Sequence, residues 1–111
     1  MPTVREYEQA LQQDPAQLEA FLALRKAYRE ANKLDKLVTL YECRGQALDD
    51  NAKAAELFYL AAELRIDHLD DSAGAEADLA HAVDRDPSNL KATQRLKLIY
   101  RAQGRTADIM T

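Results

Sequence analysis

The chain has 111 residues, enough for one ordinary domain or about three units of a helical array. An apolar fraction of 47% can build a core, and the charged 31% falls at helical spacings, so an ordered chain is expected. Fifteen basic against nineteen acidic residues leave a net charge of −4, which argues against nucleic acid or an anionic membrane as the main partner. The lone Cys43 leaves no internal disulfide, and no stretch approaches the ~20 apolar residues of a membrane span. The first residues, Met1 to Glu6, lack the apolar run of a signal peptide, so a cytoplasmic location is expected.

Taken in order, Thr3 is placed to cap a helix running to about Gln13, with Glu6 completing a capping box and Tyr7, Ala10 and Leu11 forming the apolar stripe. Asp14-Pro15 ends it, because proline disfavours helix at the residue before it and suits the first turn of the next. A second helix is predicted from about Ala16 to Asn32, with Phe21, Leu24 and Tyr28 on one face. Lys33-Leu34-Asp35 is the turn, and Asp35 is the expected N-cap of a third helix reaching about Leu48 with Leu37 and Tyr41 inward. Gly45 inside that helix costs about 1 kcal/mol relative to alanine, which close packing of another helix would explain.

After Asp49-Asp50-Asn51, a long fourth helix is predicted from Ala52 to about Leu69 with a stripe of Tyr59, Ala62 and Ile66. Asp70-Asp71-Ser72 breaks and recaps the chain before a fifth helix, Ala73 to Asp84, carrying Ala75 and Leu79. Asp86-Pro87-Ser88 repeats the earlier punctuation, a sixth helix spans Asn89 to Gln103, and Gly104 is its stop. Thr106 is placed to cap a stub ending at Thr111, in which Ala107, Ile109 and Met110 are apolar. The fold class is all-α: six helices plus a stub, with short turns that make neighbours antiparallel.

The spacing repeats. Tyr28 to Tyr41 and Ile66 to Leu79 are both thirteen residues apart. The series Phe21, Leu24, Tyr28, Leu37, Tyr41, followed by Tyr59, Ala62, Ile66, Ala75, Leu79, Ala82 and Pro87, resembles the tetratricopeptide repeat, a helix-turn-helix unit of about 34 residues. Thr93, Leu96, Tyr100 and Gly104 resemble a third first helix, while Tyr7, Ala10 and Pro15 resemble the second helix of an incomplete leading unit. The units are therefore 1–15, 16–50, 51–87 and 88–111 of a single repeat domain. Phe21 to Tyr59 is 38 residues but Tyr59 to Thr93 is 34, so one extra helical turn is expected in the helix that starts near Ala52. Arg25, Glu63 and Lys97 stand where the family uses glycine, Arg44 where it uses a small residue, and Asp49 where it uses proline. The resemblance implies a right-handed superhelical stack whose first helices line a concave face.

Chemistry of a catalytic kind is not expected. Asp67-His68-Leu69-Asp70-Asp71 offers ligand atoms, but adjacent residues on a helix diverge, and a solvated helix end is the better reading. Asp84-Arg85-Asp86-Pro87-Ser88 begins like a calcium loop but lacks its sixth-place glycine and has Arg95 at the twelfth place. Cys43, with His68 and His81 elsewhere, reads as a small, partly buried packing residue. Glu6, Glu8, Glu30 and Glu42 read as solvated faces paired with nearby cations. No metal, cofactor or phosphate loop is implied.

What remains is a binding surface on the first helices: Leu22, Lys26 and Arg29; Leu60, Leu64 and His68; Lys91, Gln94, Leu98 and Arg101. Its middle is apolar and its flanks are basic. In some tetratricopeptide domains a lysine and an arginine four residues apart clamp a peptide's terminal carboxylate, and Lys91 and Arg95 match that pair in type and place. The remaining clamp places fall at Leu22, Lys26 and Ala61. The expected partner is a protein or peptide, acidic with apolar anchors. The alternative is a structural module that pairs with its own copies through the terminal helices, at Tyr7, Leu11, Ile109 and Met110. On the face itself, the competing reading makes Leu60 and Leu64 ordinary core residues.

Overall fold

The computed structural model describes residues 2–104, so the expected stub at Ala107, Ile109 and Met110 lies outside the described residues. Six helices follow one another: α1 (Val4–Gln13), α2 (Leu18–Glu30), α3 (Leu34–Ala47), α4 (Asn51–Asp67), α5 (Ser72–Arg85) and α6 (Leu90–Ala102). No strand occurs among the described residues. Each helix packs on the next in sequence, and α4 also touches α6. The result is a solenoid of helical hairpins measuring 51 × 28 × 17 Å.

Local chemistry sets most boundaries. Thr3 and Glu6 close the capping box of α1, with the Glu6 N–H donating to Thr3 Oγ1 at 3.2 Å. Asp50, Asp71 and Asn89 accept from the N–H groups of Lys53, Gly74 and Ala92 and cap α4, α5 and α6. Two expected starts shift by two residues, and those of α4, α5 and α6 by one. The N-cap of α3 is Lys33, with no side-chain bond, and Asp35 sits inside the first turn, where its charge faces the positive helix end. The second helix begins at Leu18, two residues later than expected, because the Asp14 carboxylate accepts the Ala16 N–H at 3.2 Å and holds that segment as a turn. Both within-hairpin turns pass through a left-handed residue, Asn32 (φ 56°) and Asp70 (φ 49°), a conformation that Asn and Asp tolerate best after glycine.

The expected extra turn is present: α4 has 17 residues where α2 and α6 have 13 each. Its buried stripe, however, is not Tyr59, Ala62 and Ile66. Ala54, Ala55, Phe58, Ala61 and Ala62 are buried, whereas Tyr59 and Ile66 are half-buried at the edge of the core. The reason is that α4 is covered on two sides. Ala61 joins Phe21, Leu24, Tyr28, Leu37, Leu40 and Tyr41 in one cluster; Ala55, Phe58 and Ala62 join Ala75, Leu79, Ala82 and Ala92 in another. A helix with two covered faces follows no single stripe, and alanine lets both neighbours approach. Gly45 serves the same closeness: a Cβ there would lie 3.0 Å from the Phe58 ring. Arg85 then ties the end of α3 to the start of α4, donating to the Gly45 and Leu48 carbonyls at 3.0 and 2.6 Å and to Asn51 Oδ1 at 2.8 Å.

One polar group crosses between hairpins. Arg65 on α4 donates to Glu42 Oε2 on α3 at 2.9 Å, to Asp78 Oδ2 on α5 at 2.9 Å, and to Asp71 Oδ2 at 2.6 Å. Glu42 is paired with a cation as expected, but it is half-buried between helices and not on a solvated face, since α4 packs on that side of α3 and brings Arg65 to it. Asp78 is buried, at 3% exposure. Burial, and next the neighbouring Glu42 carboxylate, push its carboxyl up to about 8, against the opposing pull of Arg65.

Two measurements test this packing. Tyr41, 2% exposed and 6.0 Å from the Phe21 ring centroid, fills the first cluster. Tyr41→Ala should cost about 3–5 kcal/mol in chemical denaturation, and a loss under about 1 kcal/mol would contradict its placement. Because the folded-state pKa of Asp78 lies above its ordinary value of 3.8, the native chain keeps a proton that the unfolded chain releases. That contribution is full below the unfolded value and is lost as pH rises through the folded one. The melting temperature should therefore carry a falling contribution from about pH 4 to about pH 8 that levels off above it, with a shallower fall in Asp78→Asn; equal slopes in both proteins would refute the assignment.

Candidate peptide-binding face

The first helices of the hairpins, α2, α4 and α6, are neighbours. Arg29 of α2 shares a recess of about 180 Å³ with Leu60, Glu63, Leu64, Asp67 and His68 of α4, above Tyr41 of α3. The Arg29 guanidinium donates to the Tyr41 hydroxyl at 3.2 Å, so an exposed cation is aimed across the top of the buried core. Leu60 and Leu64 are half-buried and pack on the first cluster. They serve both readings, lining the recess and supporting the core beneath it.

Of the residues expected on this face, Arg29, Leu60, Leu64 and His68 meet in the recess. Leu22 and Leu98 are exposed at 41% and 55%, while Lys26, Gln94 and Arg101 are exposed and stand outside it. The two cations of the expected clamp are held within the chain. Lys91 Nζ donates to Glu56 Oε1 at 2.5 Å and lies 5.1 Å from the centroid of the Tyr59 ring. Hydrogen bonding to Glu56 raises the Lys91 ammonium above its ordinary range. Arg95 pairs with Asp67 at 3.5 Å, and its buried Nε has no acceptor among the described residues. Lys26 and Arg101 pair with no carboxylate among the described residues.

Sequence reading missed the acidic contribution of α4. Glu56, Glu63 and Asp67 recur at spacings of seven and four, which is one face of that helix, and this face meets α6. It also missed Tyr41 as part of the recess, since a core aromatic gives no sign of where its hydroxyl emerges.

Elsewhere, Cys43 is exposed on α3 and faces a second concavity, lined from α1, α2 and α3; it is not the part-buried packing residue expected. Helix α1 covers α2 but leaves that side of α3 open. His81 packs on the Phe58 ring, with centroids 5.3 Å apart. Among the described residues no three His, Cys, Asp or Glu side chains are grouped to hold a metal ion. No described helix is long and apolar enough to cross a membrane.

No protein-family model and no curated protein matches this sequence. Among solved structures, the chain is similar to the crystal structure of MamA, a tetratricopeptide-containing protein. Identity is 21% over 96% of this chain and 80% of that one, with a TM-score of 0.47.

Proposed function

We propose that the chain is a non-catalytic scaffold that binds a protein or peptide segment along the face of α2, α4 and α6. The observation that carries this reading is the recess itself. Apolar Leu60 and Leu64 lie beside the exposed guanidinium of Arg29 in one concavity. A large apolar side chain of the ligand enters between the leucines, where each Å² removed from water contributes about 25 cal/mol before ordering costs. An acidic residue of the ligand pairs with Arg29 and Lys26. Since Lys91 and Arg95 already answer Glu56 and Asp67, the α2 end of the face supplies most of the attraction for acid.

The test uses fluorescent ten-residue acidic peptides with leucine, phenylalanine or alanine at the centre. Leucine and phenylalanine peptides should bind, and added salt should weaken them modestly. The double change Lys26→Glu with Arg29→Glu should lower affinity at least tenfold without altering helicity, whereas Lys53→Glu should not. Equal binding of the alanine peptide, or an equal loss with Lys53→Glu, would reject the face.

A second reading, self-association through the terminal helices, rests on a different observation. Among the described residues, the large apolar side chains left exposed are Val4, Leu18, Leu22, Leu90 and Leu98, all on α1, α2 or α6 and none on the three helices between. Helix α1 buries no residue fully. Light scattering over a concentration series should show mass rising with concentration, and Leu90→Lys with Leu98→Lys should remove the rise. A constant monomer mass would dismiss this reading.

A further inference from the structure

A concavity larger than the recess lies away from the face proposed above. It is a groove of about 530 Å³ between α1 and α3, floored by α2, and Leu11, Leu24, Tyr28 and Leu40 give it apolar walls. Glu8 and Asp35 also line it.

The internal repeat explains why the groove exists. Glu8 stands 34 residues before Glu42, as Tyr7 stands before Tyr41, and Ala27 and Leu40 stand 38 residues before Arg65 and Asp78. One unit later, Arg65 therefore bridges Glu42 on α3 and Asp78 on α5, joining two second helices across α4. At the corresponding place in the first unit, the arginine is Ala27 and the aspartate is Leu40. The acid alone persists as Glu8. Without the bridge, α1 and α3 stand apart over an apolar gap with a carboxylate at its edge.

Other groups do not complete this arrangement. The Tyr28 hydroxyl donates to Glu8 and leaves most of the carboxylate's acceptor sites unused. Two cations also line the groove: Arg44 donates to the Ala16 carbonyl at 2.9 Å and lies over the Phe21 ring at 4.6 Å, and Lys36 lies 5.9 Å from the centroid of the Tyr28 ring, within the groove itself. Neither is ion-paired to Glu8 or Asp35. The rim carries two carboxylates and two cations, and the complementarity to an apolar segment carrying a cation lies at Glu8, whose carboxylate has no ion-pair partner among the described residues. Arginine suits it better than lysine, because a planar fork can bond Glu8 while its stem lies on Leu40.

We propose that this groove receives an arginine-bearing apolar segment of a partner protein, whose guanidinium takes against Glu8 the place that Arg65 takes against Glu42.

Cys43 lies in the groove and is exposed, so it reports occupancy. The probe is a ten-residue peptide with one arginine flanked by leucines, compared with the same peptide carrying glutamine in its place. The arginine peptide should bind the 111-residue chain at least tenfold more tightly and should slow maleimide modification of Cys43 in proportion to its occupancy. Glu8→Gln should cost about tenfold in affinity. Ala27→Arg, which supplies the missing guanidinium from within, should abolish binding and leave the helical content intact. Lys26→Glu with Arg29→Glu should change nothing here, which separates this groove from the face of α2, α4 and α6. Equal binding of the glutamine peptide, no protection of Cys43, or binding that survives Ala27→Arg in a folded protein would each overturn the proposal.

Discussion

A single guanidinium, that of Arg65, fixes how the second hairpin sits on the first. It reaches α3 through Glu42 and α5 through Asp78, so three helices are held by one side chain from the helix between them. Such an arrangement is costly to break. Losing the guanidinium leaves the Glu42 carboxylate and the buried Asp78 carboxyl without their donor at once. Burial, and next the neighbouring Glu42 carboxylate, raise the Asp78 carboxyl within this group, against the opposing pull of Arg65.

Around that group, the packing is made close by small residues. Four of the five buried positions of α4 are alanine, and the fifth, Phe58, lies against Gly45. Close approach on two sides carries α3 and α5 within reach of Arg65, and Arg85 at the end of α5 joins the end of α3 to the beginning of α4. The first unit shares Gly45 and the buried Ala20 but relies more on bulk. Its core is filled by larger side chains, Phe21, Leu24, Tyr28 and Tyr41, and α1 is held partly by the Tyr28–Glu8 bond.

These differences give the two surfaces of the stack different characters. On the face of α2, α4 and α6, acidic residues of α4 hold Lys91 and Arg95 of α6, while Lys26, Arg29 and Arg101 are in no ion pair among the described residues. On the side of α1 and α3, a charged bridge is missing and an apolar groove takes its place. Both follow from substitutions at equivalent positions of a degenerate repeat. An array whose units differ can offer different chemistry along its length without changing fold.

The helical content, the hairpin order and the extra turn of α4 were legible in the sequence, because helix starts, stops and lengths depend on local chemistry: capping side chains, prolines and apolar spacing. Gly45 likewise signalled a close approach, since glycine within a helix calls for a packing reason. The tertiary structure decided which face of α4 is buried, because a helix covered on two sides obeys its neighbours and not one stripe. It also decided that Glu42 is half-buried between helices, that Cys43 is exposed, and that Lys91 and Arg95 are held by Glu56 and Asp67. Charge pairing across helices depends on which residues the stacking brings within about 4 Å, and no local spacing in the chain contains that distance.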